Sequence, residues 1–256
     1  FTRKPSLYKS VPRPGDEIRR LAALPGVAAV TARVETAGLM SLGNRTSGVL
    51  LVGVDPAGER AVTTVDRAVR EGAWLDAPAP VSAAGGSRFP VLLGAGLAER
   101  LRARLGDEVS FVGQAADGSI AAELFRVAGI LATGSEELDA GAALVRLADA
   151  RELLALGDRA HRLVGRLEDI DGAETFARKT RVSEGLVLLP WTEVLPSLHQ
   201  TIQGDRAGNW IFLGVLMAVV ALGVVNTMTM VVFERTKEFG VMTALGTGPG
   251  RLVGMV

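Results

Sequence analysis

His161 and His199 are the only histidines in the chain, too far apart to share one helix face as a ligand pair. No HExxH, GxSxG or cysteine cluster accompanies them. His161 precedes an expected strand and His199 sits on an apolar stalk, positions that call for no reaction. Glu136, Glu137 and Asp139 fall in a glycine-bounded loop, where solvated charge is the ordinary reading. The run Gly246, Gly248, Gly250, Arg251 invites comparison with a phosphate loop. A Walker loop, however, needs Gly-Lys followed by Ser or Thr, so that the ammonium reaches the terminal phosphates and the hydroxyl binds magnesium. No Gly-Lys pair occurs in the chain. The reading is that of a protein without catalytic, metal or cofactor machinery of its own; if ATP drives it, another subunit hydrolyses the ATP.

The sharpest pattern is one that docks. From Glu234 to Gly246 a helical spacing mixes Glu234, Arg235, Lys237 and Glu238 with apolar Phe239, Met242 and Leu245. A helix lying on lipid favours an excess of Lys and Arg. Here two acids offset two bases, which suits a protein partner better. We assign coupling to a partner to Glu234, Arg235, Lys237, Glu238, Phe239 and Met242.

The element that must position this segment is the 24-residue run before it, Trp210 to Phe233, which carries no charge. As a helix it spans roughly 36 Å, enough to cross a hydrocarbon core of about 30 Å. Thirteen of its residues are Ile, Leu, Val or Phe, contributing about −6 kcal/mol to insertion against at most about +3 for Asn226. In the twenty residues before it the only Lys or Arg is Arg206, whereas the twenty after carry Arg235, Lys237 and Arg251. The C-terminal side is therefore expected in the cytoplasm, with residues 1–209 outside it. At 100° per residue Gly214, Ala218 and Ala221 make a small-residue stripe, while Gly223, Asn226, Thr227 and Met230 share the opposite side, where Asn and Thr can bond to a neighbouring helix. Leu198, Ile202, Trp210 and Leu213 form the apolar stalk face, a wall suited to facing apolar, lipid-like groups.

The 209 residues before this helix suffice for one large or two small domains. Lys and Arg total 28, as do Asp and Glu, so nothing recruits nucleic acid. Without cysteine, an exported domain must hold by packing alone. Such a domain lacking an export signal implies an excerpt of a longer protein, with one membrane helix before Phe1 and others after Val256.

Along the chain, residues 1–14 read as a stalk. Helices are expected at 16–24, after Asp55-Pro56, along Leu97, Leu101 and Leu105, at 147–156 and at 173–182. Strands are expected at 27–34, 49–54, 90–93, 109–112, 124–131, 142–145, 163–167 and 186–189. Gly43-Asn44 and Asp117-Gly118 supply turns, and the Pro-, Ala-, Gly- and Ser-rich stretch up to Arg88 a subdomain boundary. The pattern is α+β with a β-rich insertion.

The segment from Asn226 through Glu234, Arg235, Glu238 and Gly240 to Ala244, Leu245 and Gly246 resembles the signature of ABC transporter permeases of the FtsX/MacB type, and within them the lipoprotein-releasing Lol permeases. Upstream, Val52 to Glu59, Glu71 to Leu75, Leu93 to Leu101 with Leu105 to Asp107, and Phe125 to Ile130 with Thr133-Gly134 are similar to the Lol-type periplasmic core. The resemblance implies a MacB-type core (residues 1–209) with a porter part and an inserted sabre part at about 87–140, then the second membrane helix (210–233) and a cytoplasmic coupling helix (234–256). It also implies a bacterial inner membrane location and a separate ABC ATPase holding ATP and magnesium. A second permease copy or paralogue completes a dimer, whose mechanotransmission cycle expels lipoproteins or lipidated cargo.

One departure bears on partners. Carrier-recruiting Lol permeases have a long proline-containing hairpin where this chain has the short Gly113 to Glu123 connection, without Pro or aromatic residues. A periplasmic carrier is thus not expected to bind directly. A MacB-like exporter of small molecules or peptides, an FtsX-like regulator of cell-wall hydrolases that transports nothing, and a single-pass receptor stay open as alternatives.

Overall fold

The computed structural model describes residues 10–76, 89–183 and 185–246, with 248 and 250. The elements follow as β1 (Val11–Pro12), α1 (Pro14–Ala22), β2 (Val27–Leu42), β3 (Arg45–Val54), α2 (Pro56–Val62), a 3-10 turn (Val65–Ala68), β4 (Val69–Gly72) and β5 (Phe89–Gly94). Next come α3 (Ala95–Leu101), β6 (Glu108–Gln114), β7 (Ile120–Leu131), α4 (Glu136–Gly141), β8 (Ala142–Arg146), α5 (Leu147–Leu153), β9 (Arg159–Ala160), β10 (Arg162–Leu167) and α6 (Ala173–Lys179). Last are α7 (Trp191–Val194), α8 (Pro196–Glu234) and α9 (Thr236–Ala244). The chain divides into two units, Phe1–Leu188 and Leu189–Val256.

In the first unit one mixed sheet runs β10-β2-β3-β8-β5-β7-β4, with β6 paired to both β2 and β7. Its parallel pairs are β3 with β8 and β5 with β7. Strands β5 and β8 are apolar at successive positions because both faces of the sheet are covered there. On one face Val91, Leu93, Phe111, Phe125 and Val145 pack beneath α3 and α5; on the other Leu92, Leu144, Val52 and Val54 meet Trp74 and Leu75. Strands β5, β6 and β7, inside the stretch expected as an insertion, belong to the same sheet as the rest.

Local chemistry fixes several joints. Asp55 caps α2, its carboxylate accepting from the Gly58 N–H at 2.7 Å, with Pro56 at the first helical position. The two-residue turn Gly43-Asn44 closes β2 on β3, Gly43 taking φ +58°. Gly72 has φ +85°, and a Cβ there would lie 2.1 Å from the Ala128 carbonyl oxygen. Gly72→Ala is expected to destabilise the first unit by about 3 kcal/mol, read as a lower urea midpoint with an unchanged slope.

Two buried carboxylates are paired with side chains on other elements or distant in sequence. Arg33 on β2 donates through Nε and Nη2 to the two oxygens of Glu59 on α2, at 3.0 and 2.5 Å, and Thr63 Oγ1 adds a bond at 2.8 Å. Glu59 is 1% exposed. Glu17 on α1 accepts from Ser183 Oγ at 2.7 Å and from Arg20, while Arg20 also donates to the Arg181 carbonyl at 2.9 Å. Burial pushes the Glu17 carboxyl up, but these hydrogen bonds and the Arg20 charge outweigh it and hold it below the ordinary value.

Departures from the sequence reading have local causes. Val11 and Pro12, expected in a stalk, pair with β9, because Val11 is an apolar side chain that the fold buries. β2 runs to Leu42 instead of ending at Val34; its small residues Ala37 and Gly38 hide the strand signal, and its far end is held by β6. Helix α3 stops at Leu101 as Arg102 turns left-handed (φ 56°), so Leu105 leaves the helical face and stands 45% exposed. Leu186–Leu189 forms no strand, since none of its backbone groups enters a ladder among the described residues. The expected boundary loop up to Arg88 lies largely outside the described residues.

Candidate functional site

Helix α8 is 39 residues long, roughly 58 Å at 1.5 Å per residue. It is long and apolar enough to cross a membrane, and its apolar window is wholly exposed within the structure. Every expected packing residue lies on it. Gly214 and Gly223 leave open space where a Cβ would stand, and Ala218 and Ala221 are exposed. Thr227 donates its hydroxyl hydrogen to its own helix, to the Gly223 carbonyl at 3.0 Å, leaving only the oxygen lone pairs for a neighbour. Asn226 makes no side-chain hydrogen bond among the described residues, and with Thr229, Met230, Phe233 and Glu234 it lines a shallow groove.

The stalk-face residues share this helix but differ in exposure. Trp210 is 74% exposed, and Leu198 and Leu213 are also exposed, whereas Ile202 is partly covered. His199, read from the sequence as a stalk residue with no reaction to perform, is set by the fold against Trp191 of α7, ring centroids 5.5 Å apart, with Gln203 at 2.8 Å on its other side. The eight-residue separation across Pro196 hides that contact from helical spacing.

The segment expected to couple to a partner is not a continuation of α8. The helix ends at Glu234, Arg235 leaves helical geometry (φ −95°, ψ 5°), and α9 begins at Thr236. Arg235 is nevertheless bonded both ways: its N–H donates to Val231, and its carbonyl accepts from Phe239 at 3.1 Å. Gly246, at φ +88°, closes α9 by donating to the Thr243 carbonyl. Glu234, Arg235, Lys237 and Glu238 are exposed, and none forms an ion pair among the described residues. Phe239 and Met242, three apart, are the partly covered members of the helix. Four exposed charges thus stand close in sequence to two partly covered apolar side chains.

In the first unit Asp139 is not the solvated loop charge expected. It lies on α4, accepting from Thr133 N–H and Oγ1 at 2.8 Å each and from the Gly134 N–H at 3.0 Å. Burial raises its carboxyl, but those bonds and the nearby Arg70 charge bring it below the ordinary value.

A cleft of about 230 Å³ is lined by Phe89, Ile120, Phe125, Glu123, Asp149 and Glu152, among others. Asp149 Oδ2 is buried there without a hydrogen-bond partner among the described residues. Burial raises the Asp149 carboxyl above its ordinary value, the Arg146 charge opposing and Glu152 reinforcing. A raised folded value stabilises below the unfolded value, near 3.9, and that stabilisation is lost as pH rises through the folded one. Asp149→Asn is therefore expected to flatten the melting curve between pH 4 and 7. Allowing for partial exposure, it adds roughly 1 kcal/mol or less at pH 7, a rise of about 2–4 °C. Thermal melts across that range check it.

A family model described as the MacB-like periplasmic core domain matches residues 4–182, and one described as the FtsX-like permease C-terminal matches residues 210–256. The lipoprotein-releasing system transmembrane protein LolC of Neisseria meningitidis serogroup B is 26% identical over 233 residues, covering 88% of this chain and 54% of that protein. LolC of Xylella fastidiosa strain 9a5c is 24% identical over the same length and shares. The chain thus spans about half the length of the curated relatives it matches. Among solved structures, the extracellular domain of the noncanonic ABC-type transporter YknZ from Gram-positive bacteria aligns at 17% identity and TM-score 0.46, covering 66% of this chain and 79% of that one. The periplasmic region of MacB from Actinobacillus actinomycetemcomitans aligns at 17% identity and TM-score 0.44, covering 75% and 77%. With an α+β core followed by one long apolar helix, and with the core model matching most of its length, the chain belongs to the MacB-like periplasmic core domain family and continues into an FtsX-like permease segment.

Proposed function

We propose that this chain is part of a permease subunit of an ATP-driven ABC transporter of the mechanotransmission kind, releasing lipoproteins or other lipidated cargo from a bacterial inner membrane. The observation that carries the reading is the segment from Glu234 to Met242: four exposed charges, none in an ion pair among the described residues, beside Phe239 and Met242, directly after the uncharged run 210–233 of a helix long and apolar enough to cross a membrane. In this reading α8 crosses the membrane, α9 docks in the cytoplasm on a separate ATPase that holds ATP and magnesium, and the first unit works in the periplasm. The exposed small-residue stripe and Asn226 meet other helices of the permease or its dimer partner, and the stalk face near Trp210 and Leu213 borders the cargo. The likeness to LolC over 88% of the chain supports lipidated cargo. The MacB-like description of the core supports, as a second reading, efflux of small molecules or peptides.

The test is purification of the full-length protein from native membranes in mild detergent, with mass spectrometry of what stays bound. An ABC ATPase with acylated lipoproteins is expected. An ATPase without acylated protein turns the reading towards efflux, an ATPase with a cell-wall hydrolase turns it to a regulator, and absence of any ATPase overturns it.

A further inference from the structure

Between α7 and α8 the chain passes through a joint. Pro196 has no N–H to continue the α7 ladder, and Leu195 leaves helical geometry at φ −125°, ψ 65°. Leu195 ends one helix by donating to the Trp191 carbonyl at 2.8 Å and starts the next by accepting from the His199 N–H at 3.1 Å. Among the described residues, the backbone hydrogen bonds that meet at this joint therefore pass through a single residue with two soft dihedrals. Such a joint would flex unless side chains span it.

Trp191 and His199 do span it. The imidazole meets the indole nearly edge to face, at an interplanar angle of 76°, a geometry that aromatic pairs favour. Both residues are partly covered, whereas residues 193–198 between them are exposed. Gln203, one turn further along α8, holds the other side of the imidazole at 2.8 Å and so fixes the ring that Trp191 touches.

We propose that Trp191, His199 and Gln203 form a latch that locks the bend at Leu195–Pro196. The locked joint makes α7 and α8 move as one lever instead of hinging. Its use in transport rests on the permease reading above, but the latch itself is a property of the resting protein and is tested without transport.

The chain has no cysteine, so Glu193→Cys and Asp205→Cys can carry nitroxide labels on either side of the joint, with any cysteine elsewhere in the full-length protein replaced. Twelve residues apart, they stand roughly 18 Å from each other along a straight helix, within reach of pulsed dipolar spectroscopy. In lipid nanodiscs the otherwise native protein is expected to give one narrow distance distribution. Trp191→Ala and His199→Ala should each widen it about twofold, and the double variant should widen it no further, because both remove one contact. His199→Phe, which keeps a ring against Trp191, should stay narrow. Unchanged widths in both single variants, or additive widening in the double, would overturn the latch. Loss of coupling between ATP and transport with unchanged distances would leave the permease reading intact and remove this one.

Discussion

Glu238→Lys combined with Phe239→Ala is expected to abolish ATP-driven cargo release while the first unit stays folded. If α9 docks as proposed, the effect is large because the pair removes an apolar side chain and inverts a charge in the same small contact. Truncation of a buried aromatic at an interface costs about 2–4 kcal/mol, roughly 30- to 1,000-fold in affinity. Charge reversal adds repulsion on top of lost attraction. The ends of α9 are held by backbone bonds at Arg235 and Gly246, which neither substitution removes. The readouts are cargo release and stimulated ATPase activity in proteoliposomes, with the thermal melt of the first unit as control. Undiminished release would remove α9 as the docking element.

Arg33→Met should destabilise the first unit by about 3–5 kcal/mol, because Glu59 would remain at 2% side-chain exposure without its counter-ion. Removing the charge on both sides, as Arg33→Met with Glu59→Met, should recover most of that loss, since two well-packed apolar groups carry no desolvation penalty. Urea unfolding of a fragment ending at residue 188 measures both. If the double variant were as unstable as the single, the stability would come from the shape of these side chains and not from their charge.

The reach of sequence reasoning followed the range of the interactions. Asp55-Pro56, Gly43-Asn44 and Asp117-Gly118 are decided within a few residues, and each stands where local chemistry puts it. The runs at Pro90–Leu93 and Ala142–Val145 were legible because burial on both faces demands continuous apolar residues. Signals failed where the deciding partner is distant. Val11 becomes a strand only because Ala160 is beside it, and Arg33 gives no hint that its partner lies 26 positions on. At the end of α8 the mix of charged and apolar residues from Glu234 to Met242 was readable from spacing, whereas the break at Arg235 was not, since nothing in the run Glu234 to Glu238 opposes a continuous helix. The Trp191–His199 contact was hidden for a related reason: Pro196 resets the helical phase between them.

The tie between Glu17 and Ser183 joins positions 166 apart, and with Arg20 on the Arg181 carbonyl it clasps the beginning and the end of the first unit together. Tension applied at those two ends would therefore load the clasp and the β1–β9 pairing before the large sheet. A body gripped in that way swings about its point of suspension instead of being pulled open, so it can carry a stroke without unfolding under it.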